Sequence, residues 1–441
     1  MTSLTESLCC IDIDFYANKK GCVFMLTLNG KYGSARVYTD LIEEEAIAQI
    51  VEMLNQPFAE NANVAIMPDV HAGAGCTIGT TMRISDRVVP NLVGVDIGCG
   101  MICAKLTHLH KEEVDFEKLD KVIREHIPSG MSIRDKMVNI KMPNRAGVNA
   151  KDWANQLYQL KCWDAIKTKE DYFLKSIGTL GGGNHFIEMN VDEDNQCYLI
   201  VHSGSRNLGI QVCKYYQKLA ETEYQKACNK ADKKVIEAMI ADGHKLEIPA
   251  YIASCKVKYD KGLIPLVGES FEDYLHDMDI VQKYAEANRR AMLFTICKEM
   301  GWDDFSFFET KHNYIDFSPR ENGELPILRK GAVAANAGEE LIIPMNMRDG
   351  SLICVGKGNP AWNYSAPHGA GRLMSRAQAK QTLSLEKYQS EMKGIWTSCV
   401  SNATIDESPM AYKPMESIIE NIGDTVEIYK VIKPVYNFKA N

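Results

Sequence analysis

The sequence predicts an α+β protein: a single compact domain over residues 1–441, with mixed β-sheets at its core and peripheral helical insertions around 111–175 and 211–300. Segments rich in Val, Ile and Leu and punctuated by Gly and Pro alternate with charged, helix-forming blocks. No Ser/Gly-rich or Pro-rich linker and no internal repeat divides them, and the chemically interesting residues come from both ends of the chain.

In chain order, residues 21–106 read as strands and turns, in VFMLTLNG, ARVYT, NVAIMPDV and LVGVDIGCGMICAKL. The exception is YTDLIEEEAIAQIVEMLNQ, where apolar residues recur at three and four spacing and Thr39 or Asp40 is placed to cap a helix. Residues 111–175 read as helical and charged, with a break around IPSGMSIRDK, and 176–210 return to strand and glycine. Residues 211–300 read as largely helical. After Trp302 strands and loops dominate, up to two short helices near RAQAKQ and KPMESIIENI.

Composition narrows the classes. The opening MTSLTESLCCIDIDFYANKK has neither the basic start nor the apolar stretch of a secretory signal, so a cytoplasmic protein is expected. Apolar runs such as LIIPM and YLIV fall far short of the roughly 20 residues needed to cross a bilayer, and read as buried strands. Fourteen cysteines scattered through so long a chain are expected to be reduced, with core packing as the default for each. A net charge of -8 argues against a general nucleic-acid coat protein, although an enzyme gripping a few nucleotides needs only a local basic groove.

Ten histidines divide by setting. His108, His110, His126, His244 and His276 lie in charged or amphipathic stretches and need no special role; His108 and His110 could share one face of a strand as ligands, but no third partner is nearby. The other five sit beside glycines or prolines in PDVHAG, GGGNHF, VHSGSR, KHNY and SAPHGAGR, where backbone can approach a ligand closely. In VGVDIGCGM, Asp96 and Cys99 are three residues apart in a glycine-broken turn after an apolar strand, a spacing that lets both face one metal ion. Imidazole, thiolate and carboxylate together suit one or two divalent metals, and ligand softness alone favours zinc over manganese. Taken singly, GGGNH is more often a tight turn, and DxxC more often packing.

The ordered series MPDVHAGAGCTIG, VGVDIGCGM, GTLGGGNHFIE, VHSGSRNLG, KHNY, VGKGNP and SAPHGAGR resembles the RtcB family of RNA-splicing ligases, and the terminal AYKP and VYNFK resemble that family's ending. The resemblance implies an RtcB-like fold and two Mn2+ ions bridged by Cys99, with Asp96 and His185 completing one site and His202 and His312 the other. It implies that His368 carries GMP taken from GTP, that Asp69 orients His368, and that the small residues Gly369, Ala370 and Gly371 leave room for the guanylyl group. Asn184, Phe186, Glu188, Ser351, Tyr412 and Lys439 would hold the nucleotide, and Arg206 and Arg372, with Arg289 and Arg290 as weaker candidates, the RNA phosphates. The implied partners are GTP and RNA with 3'-phosphate or 2',3'-cyclic phosphate and 5'-hydroxyl ends. A monomer is expected, with an archease-type helper in some relatives.

One departure stands out. Where the family reads IPGSMG, this chain reads IPMNMRDG from Pro344 region to Gly350, so that Asn346 stands where a small serine is expected and Arg348 brings a charge close to the nucleotide. Nucleotide preference and the choice between RNA repair and tRNA splicing turn on that loop. Two other functions keep the metal residues without ligation: a metal-dependent RNA 2',3'-cyclic phosphodiesterase, and a non-catalytic sensor of RNA ends.

Overall fold

Two seven-stranded sheets organise the chain. The computed structural model describes residues 11–18, 21–228, 233–249, 259–260, 262–319 and 323–440; the expected helical content at 229–232 and 250–258 lies outside them. In the first sheet the strands run in the order Ile11–Asn18, Gly21–Asn29, Ser34–Val37, Val64–His71, Ile78–Arg83, Ile327–Lys330 and Asn313–Asp316. It is mixed through one parallel pairing, Ser34–Val37 beside Val64–His71. The second is antiparallel throughout, in the order Phe305–Lys311, Gly100–His110, Gln196–Ser203, Phe186–Val191, Val426–Lys439, Gly350–Gly356 and Glu340–Asn346. With its helices, this is the α+β architecture expected.

The register of the second sheet sets up everything that follows. Phe186 lies opposite both His202 and Lys439, while Gly100 lies opposite both Ser203 and Lys311. Five neighbouring strands thus bring Lys311, Gly100, Ser203, Phe186 and Lys439 to one end of the sheet. Loops leaving that end start from fixed positions.

The 32-residue helix Glu269–Met300 is buried on most sides, from Phe271 to Cys297. Such a helix needs apolar residues all round rather than a stripe. It packs on the strands Gln196–Ser203 and Gly100–His110 and on the helices Arg206–Cys228 and Phe116–His126, joining the largest apolar core.

Five local expectations are corrected. The helix Glu44–Leu54 starts after Glu43 with no side-chain cap; Thr39 Oγ1 instead accepts from Leu41 N–H, closing a tight turn upstream. The block 111–175 is interrupted by a hairpin, Asn139–Met142 against Arg145–Asn149. The turn carrying Asp96 and Cys99 precedes its strand, Gly100–His110, rather than following one. The helix after VHSGS begins already at Arg206, and a further short helix, Leu385–Glu391, lies between the two expected near the C-terminus. No helix among the described residues is long and apolar enough to cross a membrane.

Candidate active site

Cys99 is shared by two groups of metal-ligating side chains. Its Sγ lies 3.5 Å from His185 Nε2 and 3.4 Å from His202 Nε2. Cys99, His202 and His312 form one group and Asp96, Cys99 and His185 the other, the ligand atoms of each lying within 4.8 Å of one another. His202 Nε2 is 3.1 Å from His312 Nε2, and Asp96 Oδ2 is 3.1 Å from His185 Nε2. These five residues come from the loops and strand ends at the edge described above. The Cys99 carbonyl accepts from His312 N–H, tying two of them through the backbone.

The donors fit a divalent cation. His185 Nδ1 lies 2.9 Å from the Leu180 carbonyl and His202 Nδ1 3.2 Å from that of Asn184, so each donates there and turns its Nε2 lone pair into the cluster. Burial holds both His202 and His312 well below the ordinary imidazole range, and neighbouring histidines push the same way. Burial also raises the Cys99 thiol far above its usual value, with the Asp96 charge adding to it. For Asp96 burial acts upward, but the neighbouring His185 and the Ser205 N–H together outweigh it and lower the pKa. Converging lone pairs with little but the thiol proton among them are a poor arrangement for a dry interior and a good one for a cation, which would displace that proton.

Residues that were not singled out for this purpose hold the cluster in shape. Arg289, fully buried, donates to the carbonyls of Gly98 and Ser203 and to Glu309, so one guanidinium ties the loop of Cys99 to the strand of His202. Arg290 turns outward to Glu309 and the Phe307 ring. Asn288 accepts from Gly178 and Thr179 N–H and donates to Ser203 Oγ and the Gly204 carbonyl. At Gly204 a Cβ would sit 2.1 Å from the Asp96 carboxylate, so only glycine lets that group in. No local signal set Asn288 and Arg289 apart, because the same helix carries other polar residues throughout, Asp277 and Gln282 buried among them.

His368 stands beside this cluster, its ring centroid 4.7 Å from that of His312. Asp69 Oδ2 accepts from His368 Nδ1 at 2.6 Å, and from the His368 and Gly369 N–H groups at 3.1 and 3.2 Å. The Nδ1 bond leaves the Nε2 lone pair available. Gly371 has φ +74, and a Cβ there would lie 2.2 Å from the Asp69 carbonyl, so the loop after His368 can close on Asp69 only with glycine. His71, given no role from sequence, bonds through Nδ1 to the Asp69 carbonyl, and burial pulls its pKa down to about 4.

A cleft of about 530 Å³ opens from His368 and His202. Asn184, Phe186, Glu188, Gly371, Tyr412 and Lys439 line it, as do Arg372, Arg376, Glu407 and Asn437. Glu407 accepts from Lys439 Nζ at 2.6 Å and Tyr412 hydroxyl at 2.7 Å and pairs with Arg372 and Arg376. Burial alone would raise its pKa, yet Lys439 and Arg376 bring it down to about 2. Glu188, by contrast, is buried among amides: Asn190 and Asn437 donate to it, and burial lifts it to about 7. Ser351 is the exception among the expected nucleotide residues; it stays within the sheet opposite Ile432, its buried hydroxyl without a partner, and does not line the cleft. Arg206 donates to Thr179 Oγ1 and the Gly130 carbonyl, and Arg372 to the carbonyls of Met374 and Asp406.

In the departing loop, Pro344 to Met347 line the cleft but Arg348 does not: it is held by Asp349 and Glu391. Asn346 Oδ1 accepts from the N–H groups of Arg348 and Asp349, which closes the turn, and its amide donates to Asp349. The charge expected close to the nucleotide is thus held outside the lining of the cleft. His108 has φ +59, which breaks the alternation that would have aligned it with His110, and neither belongs to a ligand group.

A family model described as tRNA-splicing ligase RtcB matches residues 49–440. The chain is 32% identical over 425 residues to the RNA-splicing ligase RtcB of Escherichia coli (strain K12), covering 90% of this chain and 95% of that protein. It is 27% identical over 454 residues to the tRNA-splicing ligase RtcB of Archaeoglobus fulgidus, covering 88% and 89%. With that of Aeropyrum pernix it shares 26% over 432 residues, 80% of this chain and 83% of that one.

Proposed function

The chain belongs to the RtcB family and is an RNA ligase; on that premise we propose that it joins RNA 3'-phosphate or 2',3'-cyclic phosphate ends to 5'-hydroxyl ends, using GTP and two Mn2+ ions. Residues 1–441 would act as one domain and as a monomer in the cytoplasm, in RNA repair or tRNA splicing, with or without an archease-type helper. The observation that carries the reading is the single thiol of Cys99 shared between two ligand groups, with the His368 ring against His312.

Asp96 and His185 would hold one ion with Cys99, and His202 and His312 the other. Bound there, the cations supply positive charge where two phosphate groups must meet. His368 is the nucleophile: Asp69 keeps its proton on Nδ1, so Nε2 attacks the α-phosphorus of GTP, an N–P bond forms, the α–β bond breaks and pyrophosphate leaves. An oxygen of the RNA 3'-phosphate then attacks the phosphorus on His368, and the N–P bond breaks. Where the end is cyclic, water first adds and the P–O2' bond opens. Finally the 5'-hydroxyl oxygen attacks the activated RNA phosphorus, GMP departs, and the hydroxyl proton goes to solvent. In the cleft, Phe186 and Tyr412 supply aromatic surface for the base, and Glu188 and Lys439 polar edges. Arg372 sits within reach of phosphate, and Arg206 is assigned the RNA end by its place beside the ligand loops. Ser351 could join the nucleotide site only if the strand Gly350–Gly356 shifted.

The test incubates the protein with α-labelled GTP and manganese and asks whether label stays on the denatured chain. Label should be lost in His368→Ala and kept in His108→Ala. Turnover of cyclic phosphate ends with no labelled protein would point to the phosphodiesterase, and RNA binding with neither activity to the sensor.

A further inference from the structure

We infer that Lys413 is a positioning residue for the Asp69–His368 pair, holding the backbone on both sides of Asp69 and the loop that follows His368. The strand Val64–His71 loses regular pairing with Ile78–Arg83 between Ile66 and His71. The carbonyls of Pro68 and Val70, which flank Asp69, turn to a side chain instead. Lys413 Nζ donates to Pro68 at 3.0 Å, Val70 at 2.9 Å and Leu41 at 2.6 Å. Those three bonds use every donor an ammonium has. Its own N–H donates to the Gly371 carbonyl at 3.0 Å, and Gly371 is the residue that abuts the Asp69 carbonyl. One residue therefore ties the carboxylate strand and the histidine loop together from behind.

A lysine is not needed merely to fill this space. At 4% exposure a methionine would pack, but it would leave the Pro68 and Val70 carbonyls, whose bonds to Nζ are buried, without that partner. Asp69, Glu43 and Asp40 face the ammonium electrostatically and favour its charge, and His71 lies beside it; burial is the larger effect and brings Lys413 to about 8. No carboxylate is hydrogen-bonded to Nζ, so the charge serves the backbone. Within the AYKP segment, Lys413 thus acquires a task beside that of Tyr412.

The inference rests on His368 as the guanylylated residue, and the experiment separates the two. Lys413→Met should lower the rate of GMP labelling at saturating GTP roughly 10- to 100-fold, as loss of a supporting residue does. Manganese binding by calorimetry should stay within about twofold of wild type, because the ligands lie elsewhere and only the His368 side is loosened. Lys413→Arg should recover most of the labelling; should the Met variant not fold, Lys413→Gln, which keeps two donors, replaces it. Labelling at the wild-type rate, or labelling and manganese binding lost together, would overturn the inference. A wild type that takes no label sinks the ligase reading by itself. The low-field proton resonance of the His368–Asp69 bond, identified by its loss in Asp69→Asn, then still decides: it should be lost or moved in Lys413→Met and kept in Lys413→Arg, and an unchanged resonance in Lys413→Met would refute the role.

Discussion

At the His202 end of the cleft a buried thiol, three buried imidazoles and a part-exposed carboxylate converge, without a cationic side chain hydrogen-bonded among them in the described residues. At the Glu407 end every buried charge meets its opposite: Lys439, Arg376 and Arg372 surround Glu407, and Tyr412 donates to it. The first arrangement is complete only when an ion arrives from outside, whereas the second keeps its shape unaided. A purine base or ribose can be read by a rigid paired network, but two phosphates meeting need charge that the protein does not itself supply.

The harshest way to break this contrast is to remove the shared sulfur. Cys99→Ala should abolish GMP labelling, by about 1,000-fold or more, and lower manganese stoichiometry from two to at most one, because both groups lose a ligand. In the wild type, manganese binding should release a proton and strengthen as pH rises, since burial keeps the free thiol protonated. Calorimetry in buffers of different ionisation enthalpy reads both; two tightly held ions in Cys99→Ala would end the bridging assignment.

The next variant sharpens the contrast at Glu188, a buried carboxyl of the cleft to which side-chain amides rather than cations donate. Its pKa is raised from 4.5 to about 7, so the folded state holds the proton more tightly than the unfolded chain. Stability from this source is full below about pH 4.5 and lost as pH rises through 7. Across that window the wild type should lose up to about 3 kcal/mol that Glu188→Gln does not. Parallel denaturation profiles for the two proteins would show that the carboxyl is solvated.

A smaller effect is expected behind the thiol–imidazole cluster. Arg289→Lys keeps the charge but not the fork that reaches Gly98, Ser203 and Glu309 together, and should weaken manganese binding roughly tenfold while leaving GTP concentration dependence alone. Unchanged affinity would make Arg289 a packing residue only. The mildest change is Arg348→Ala. Its pairs with Asp349 and Glu391 are half exposed, so stability should shift by under about 1 kcal/mol and the preference for GTP over ATP should hold. A swing in nucleotide preference would mean that this loop repacks over the bound base.

How much of this could be read beforehand depends on how local the cause is. His185, His202, His312 and His368 each announced themselves through flanking Gly, Pro or Asn, because a loop that lets backbone approach a ligand needs those residues nearby in sequence. Glu407 has Pro409 as near in DESPMAY, but that sign says nothing of its partners: Lys439 on one side, and Arg372 and Arg376 on the other, come from two segments distant from each other. The cap at Thr39 failed for a related reason: a threonine can serve a helix or a turn equally well, and the chain chose the turn.

By itself the sequence determined the chemical inventory: a thiol and carboxylate three residues apart, imidazoles in glycine-bounded loops, and alternating apolar segments enough for two sheets. Tertiary structure alone decided which groups meet. Arg289 and Arg290 are adjacent and identical in type, yet one is sealed behind the thiol–imidazole cluster and the other faces outward. Each residue turns about 100° around a helix from the last, and only the packing of that helix against the sheet tells which direction is inward.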